Sequence, residues 1–282
     1  MVGPNTLRAL LLGGALWLGA AAAVAAPERV VSMNLCTDQL AMLVAGPDQL
    51  MSVSDLALDS DSSAMVDRAG SYIINHGRAE EIYVLKPDLV VAGAYSDPAT
   101  LGMLRRLGVR VEVFEPALSL DEVRDRVAQM GDVLGQDGRA ADLLAAFDTR
   151  RDRLRPAQGN NPRAALYYPN GYTLGDETLA GALLAEAGFD NVAEELGLSY
   201  GGAFPLELLL MTAPDTVMTS PARPGKSRSE DILVHPALAS LREGAAGLTL
   251  TPPDWMCGTP FALNALDVLV AHRAEILSGV SE

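Results

Sequence analysis

The 282-residue sequence predicts an α/β fold of two lobes, each a mostly parallel sheet flanked by helices, with a helical stretch between them. Three observations carry that expectation. Short apolar strand-like runs alternate with helical patterns in both halves of the chain, as βα units do. The middle is continuously helical and stops at a Pro-, Gly- and Asn-containing break at 156–162. A phrase of the first half also returns in the second: Glu80 stands seven residues before Pro87-Asp88, and Glu207 seven before Pro214-Asp215. In both places the Pro-Asp pair opens an apolar strand.

Taken in order, residues 29–33 read as the first strand. Thr37 or Asp38 is the expected cap of the helix that follows, with Leu40, Leu43 and Val44 as its apolar face and Gly46 as its stop. Residues 50–54 form the next strand. The near-continuous apolar run 88–93 fits a parallel sheet covered on both faces. A helix at 101–107, closed by Gly108, leads to a strand at 109–114. Residues 119–134 carry Leu120, Val123, Val127 and Met130 on one helical face, and a second helix runs from about Arg139 to Arg155. Arg150, Arg151, Arg153 and Arg155 suit the negative end of its dipole and read as a solvated face. After the break come a strand at 164–168, a helix at 179–187, strands at 216–219 and 248–251, and a terminal helix at 263–277. The expected division is 27–135 for the first lobe, 136–158 for the connecting helix and 163–282 for the second lobe.

The first 26 residues read as a signal peptide. Residues 9–26 are apolar, Arg8 is the only charge before them, and the small-residue run Ala23-Val24-Ala25-Ala26 offers a cleavage site. A membrane anchor is the alternative, since that run is 18 residues long. Charged or turn residues interrupt every later apolar run, so no membrane insertion is expected beyond it. The expected setting is the periplasm.

Composition narrows the function. The formal charge is −15, with 36 acidic against 21 basic residues, and aromatics make up 5%. A phosphate backbone would meet like charge and few stacking faces, so nucleic acid is not an expected partner. No GxSxG, P-loop or dinucleotide phrase is present, and no nucleophile stands beside a base, so no catalytic residues are assigned. A secreted α/β enzyme is the weaker alternative. The three histidines, His76, His235 and His272, are too scattered for a transition-metal site, and no metal or cofactor is expected.

The landmarks resemble a known family. They are Arg29-Val30-Val31-Ser32-Met33-Asn34-Leu35, then Asn75-His76-Gly77-Arg78-Ala79-Glu80-Glu81-Ile82 running into Leu85-Lys86-Pro87-Asp88. Further on stand Tyr168-Pro169-Asn170-Gly171-Tyr172, Pro205-Leu206-Glu207, His235-Pro236-Ala237-Leu238 and Asp254-Trp255. In that order they resemble the substrate-binding proteins of bacterial ABC importers that take up cobalamin, ferric siderophores and haem. The resemblance implies two lobes on one long helix, a metal-chelate ligand (ferric siderophore, corrinoid or haem) and an ABC transporter permease dimer as partner, with the carrier itself a monomer. It also implies that Glu80 and Glu207, which in a first helical turn would otherwise only stabilise the dipole, dock on permease arginines.

The resemblance places ligands at loops following the strands, here 34–37, 74–77, 94–97, 170–172, 220–223 and 253–258. Within them the expected ligand-binding residues are Trp255, Tyr95, Tyr172, Asn34, His76 and Arg223, the aromatics because flat faces cover large ligands at small entropic cost. His76 is the one histidine placed to supply an axial bond to a chelate. Arg223 and Lys226 offer charge to an anionic siderophore, or form an ordinary solvated loop. Cys36 and Cys257 fall one to each lobe. In an oxidising compartment they are expected to form a disulfide across the cleft, with free thiols as the alternative; a cobalamin carrier of the family keeps its bridge within the second lobe.

Overall fold

The computed structural model describes residues 25–157, 159–223 and 227–279; most of the stretch expected to be a signal peptide, up to residue 24, and Lys226 lie outside them. Among the described residues no helix is long and apolar enough to cross a membrane.

The first lobe contains β1 (Val30–Ser32), α1 (Leu35–Val44), β2 (Leu50–Ser54), α2 (Val66–Ala69), β3 (Ile73–Asn75), α3 (Ala79–Val84), β4 (Leu89–Gly93), α4 (Pro98–Arg106) and β5 (Arg110–Phe114). Its five strands are all parallel, in the order β3-β2-β1-β4-β5. Strand alternation divides the apolar residues between two covered faces. Val30, Leu89 and Val91 pack under α1, while Val31, Val90 and Ala92 pack under α3 and α4 through Ile82, Leu101 and Leu104.

Two helices follow, α5 (Leu120–Leu134) and α6 (Asp137–Arg153), joined through Gly135 in the left-handed conformation (φ 64°). Both straddle the lobes. Leu120 and Val123 at the start of α5 and Phe147 late in α6 belong to the core of the second lobe, whereas Val127, Met130, Leu134 and Ala140 belong to that of the first. At 1.5 Å per residue, α6 spans roughly 25 Å. Its arginines fasten it at both ends. Arg139 donates to the Val44 carbonyl of α1 at 2.9 Å.

The second lobe comprises β6 (Arg163–Tyr167), β7 (Tyr172–Thr173), α7 (Leu179–Glu186), β8 (Asp190–Asn191), α8 (Val192–Glu195), β9 (Gly202–Ala203), α9 (Leu206–Thr212), β10 (Thr216–Thr219), α10 (Pro236–Gly244), β11 (Ala246–Thr249) and α11 (Ala262–Ser278). Four parallel strands run β11-β10-β6-β8, and β7 and β9 make a small antiparallel ribbon. Arg151 of α6 pairs with Glu186 at 2.8 Å and Asp121 at 2.6 Å, and Arg150 donates to Asn264 Oδ1 at 2.8 Å. The arginine run is thus no uniform solvated face. Its first two members clamp α6 to α7 and α11, and only Arg153 and Arg155 lie exposed.

The cap of α1 also differs from expectation. Asn34 accepts from the Cys36 backbone N–H, so the helix begins one turn before Thr37 and Asp38 would start it. Those two side chains are buried inside its first turns. The Asp38 carboxylate accepts from the backbone N–H and hydroxyl of Ser54 on β2, and burial pushes its pKa up to about 6.

The sequence echo has a structural counterpart. In the first lobe the Arg29 guanidinium donates to the carbonyls of Leu85 and Lys86, while the Asp88 carboxylate accepts the N–H groups of Glu28 and Arg29 at 2.8 and 3.0 Å. In the second, Arg163 donates to the carbonyls of Thr212 and Ala213 at 2.8 and 3.1 Å, and Asp215 accepts from the Arg163 N–H at 2.7 Å. Lys86 and Ala213 share a positive φ (50° and 44°) despite having side chains. Each arginine therefore locks a strained turn between a short helix and the strand beside its own lobe's first strand.

Candidate ligand-binding site

The carboxyl ends of the strands of the two sheets are brought together by Cys36, in the first turn of α1, and Cys257, in the loop between β11 and α11. They form a disulfide with Cα atoms 5.1 Å apart across 221 residues of sequence. A second link between the lobes is an ion pair, in which Arg223 Nη2 of the second meets Asp61 Oδ1 of the first at 2.8 Å.

Beside the disulfide lie two adjoining cavities that share Pro116, Ala117 and Met256. The larger, about 450 Å³, belongs mainly to the second lobe and is walled by Tyr168, Tyr172, Leu174, Leu179 and Trp255. Among the described residues no charged side chain lines it. The smaller, about 110 Å³, is walled from the first lobe by Asn34, Thr37 and Tyr95, with Glu115 and Arg126 at its back.

Local sequence positions the aromatic wall. The Tyr168 and Trp255 rings pack at 5.7 Å between centroids, tilted by 39°. Tyr168 leaves the end of β6 into a turn in which Asn170 and Gly171 are both left-handed, residue types that tolerate that conformation. Trp255 follows a Pro252–Asp254 turn whose Asp254 carboxylate accepts from Asn264 Nδ2 of α11 at 2.9 Å. Two polar atoms of this wall, Tyr168 Oη and Trp255 Nε1, are buried and have no hydrogen-bond partner among the described residues. Burial also drives the Tyr168 phenol well above its ordinary pKa, so it stays a neutral donor. The arrangement provides a largely apolar aromatic surface, suited to covering a flat ligand.

On the first lobe, Asn34 sits over Gly93 so closely that a Cβ there would come within 2.9 Å of its Cγ. Tyr95 is 89% exposed at the mouth of the smaller cavity.

Of the residues expected to contact ligand, Trp255 and Tyr172 line the larger cavity, and Asn34 and Tyr95 the smaller. His76 and Arg223 line neither. Glu81 holds His76, accepting its backbone N–H at 2.9 Å and pairing with Nδ1 at 3.3 Å; the first of these contacts chiefly lowers the Glu81 pKa. Glu80 and Glu207 lie exposed on α3 and α9, with no hydrogen-bond or ion-pair partner among the described residues. Among those residues no three His, Cys, Asp or Glu side chains converge as a metal site would require.

Sequence reasoning missed Tyr168, Arg126 and the 116–118 loop. That loop follows the carboxyl end of β5, so the rule that selected the other loops applies to it equally.

Comparison with known proteins agrees with this geometry. Residues 30–246 match the family model described as periplasmic binding protein. A cobalamin-binding protein of Halobacterium salinarum is 28% identical over 220 residues, which cover 75% of this chain and 58% of that one, so the chain spans less than two thirds of that curated relative. The fold resembles the apo periplasmic heme-binding protein RhuT of Roseiflexus sp. RS-1 with a TM-score of 0.71 at 22% identity, covering 88% of this chain and 98% of that one. It also resembles the periplasmic vitamin B12 binding protein BtuF of Vibrio cholerae, with a TM-score of 0.67 at 19% identity and coverage of 89% and 98%. At these identities the two structures speak for the fold. With the family model spanning both lobes, the chain belongs to the periplasmic binding proteins, in the ABC-importer group that includes cobalamin, siderophore and haem carriers.

Proposed function

We propose that this protein captures a metal-chelate nutrient between its lobes and delivers it to an ABC transporter permease dimer, with a corrinoid as the first candidate cargo. The observation that carries the choice is the larger cavity, which is walled by aromatic and aliphatic side chains and, among the described residues, lined by no charged one. A large uncharged macrocycle suits such a wall, because burying it there leaves no ion unpaired. The name of the Halobacterium relative points the same way.

A ferric siderophore is the second reading, favoured by Arg126, which lines the smaller cavity and offers a positive charge to an anionic chelate. Haem is the third. It has less support, since His76 pairs with Glu81 and lines neither cavity.

Delivery rests on Glu80 and Glu207, one to each lobe, exposed and unpaired, against permease arginines. Charge pairs of this sort fix orientation and speed encounter. Hydrolysis of ATP belongs to the partner. Replacing both residues with alanine is expected to abolish stimulation of the transporter ATPase while leaving ligand affinity intact. Normal stimulation by the double variant would remove the docking role.

Cargo is tested by following Trp255 fluorescence while adding cyanocobalamin, ferric hydroxamate, ferric catecholate or haem, corrected for inner-filter absorption. Saturable submicromolar quenching by cyanocobalamin alone is expected. Quenching only by a ferric chelate would transfer the assignment to the Arg126 side, and flat responses throughout would overturn the proposal.

A further inference from the structure

The echo around Glu80 and Glu207 extends to two further positions. On α3, Ala79 and Ile82 are buried, so Glu80, Tyr83 and Val84 share the outward face, at positions i, i+3 and i+4. On α9, Leu209 is buried and Glu207, Leu210 and Met211 share the outward face at the same offsets. Each lobe therefore presents one acid followed by two exposed apolar side chains. Met211 is 81% exposed and Val84 72%, and among the described large apolar residues only Tyr95 exceeds them. Beside Tyr83 and Val84, Pro87, Leu107 and Val109 line a hollow of about 520 Å³.

Packing does not ask for these side chains, and a solvated helix face would carry polar ones. Their recurrence at identical offsets, on helices that enter corresponding strands, is what a partner with two equivalent faces would require. Resting on the docking reading above, we infer that Tyr83, Val84, Leu210 and Met211 form the apolar half of the permease contact. Each half of the permease dimer would then offer a cation for the glutamate and an apolar residue for the adjoining pair. Charge argues against other occupants. A second copy of this acidic chain would set glutamate against glutamate, and an anionic lipid surface would repel both.

The apolar pairs give the contact the desolvated centre that confers affinity, with the glutamates at its edge setting register. The test uses the purified full carrier and its permease–ATPase complex in nanodiscs, with carrier concentration varied and ATPase rate recorded. The variant Y83S/V84S/L210S/M211S is expected to need at least tenfold more carrier for half-maximal stimulation. V84S/M211S, altering only the two most exposed positions, is expected to need several-fold more, with an unchanged melting temperature and unchanged ligand quenching. Wild-type half-stimulation by V84S/M211S at an intact melting temperature would overturn the inference. So would loss in that variant of self-association, or of binding to empty nanodiscs, with stimulation unchanged. Normal stimulation by E80A/E207A would instead remove the docking reading beneath it, so the two failures are separable.

Discussion

In the first lobe Arg29 and Asp88 lock the turn after α3, and in the second Arg163 and Asp215 lock the turn after α9. In each, the guanidinium donates to the two corresponding carbonyls and the aspartate accepts the arginine's own N–H. At the cleft the likeness stops. The first lobe offers a capped helix end, Asn34 and Thr37, around a 110 Å³ cavity, and the second offers Tyr168, Tyr172 and Trp255 around one of 450 Å³. Features shared by both lobes are those a two-faced partner would need. Features that differ are the ones a single asymmetric ligand would need, and the proposed roles divide along that line.

The link between the unlike cleft edges is where the largest effect is expected. Closing a loop of 221 residues is worth up to about 5 kcal/mol by the chain-entropy relation. C36S/C257S is therefore expected to lower the urea midpoint substantially, and dithiothreitol is expected to move only the wild type. An unchanged midpoint in both would show that the lobes hold together without the bridge.

A smaller effect separates the two cores by pH. In the first lobe, Asp38 titrates near pH 6 in the folded protein against about 3.9 unfolded. The folded state thus holds the extra proton between these values, and stability falls by up to about 3 kcal/mol as pH rises from about 4 to 6, then levels off. Asp38→Asn is expected to flatten that decline, read by denaturation at pH 4.5 and 7. In the second lobe the sign reverses. His272 is buried against Thr216 and Phe189, and burial lowers its pKa. Its contribution is present above about pH 6.5 and is lost on acidification below it, and His272→Gln is expected to remove that acid sensitivity. A wild-type slope persisting in Asp38→Asn would assign the pH dependence elsewhere.

The smallest effect is expected at the Arg223 and Asp61 pair. Both partners are partly solvated, and such pairs contribute below about 1 kcal/mol. Arg223→Ala is expected to leave the denaturation midpoint nearly unchanged. A large loss would mean that this contact carries lobe closure on its own.

Much of the frame was legible in the sequence because it is local. Short apolar runs mark the strands β1, β2 and β4, and the Pro-Asp pairs mark where β4 and β10 begin. What escaped depends on distant partners or on single-residue parity. Arg151 reads as a solvated charge until Glu186 and Asp121 are brought to it. Arg223 reads as a ligand donor until the fold delivers Asp61. Tyr168 was absorbed into an expected strand at 164–168, yet β6 ends at Tyr167. Tyr167 points into the core beside Phe204, and the next residue turns to Trp255 and the cleft. A strand one residue shorter thus converts an apparent core position into a wall of the site.

The central claim is that the aromatic wall of the second lobe, more than the first lobe's edge, holds the cargo. Calorimetric titration with cyanocobalamin of the wild type, Trp255→Ala and Tyr95→Ala tests it most directly. Losing a large buried aromatic contact is expected to weaken binding about 30-fold or more in Trp255→Ala, while the exposed Tyr95 is expected to matter by about threefold or less. Equal losses, or a larger loss in Tyr95→Ala, would contradict the account.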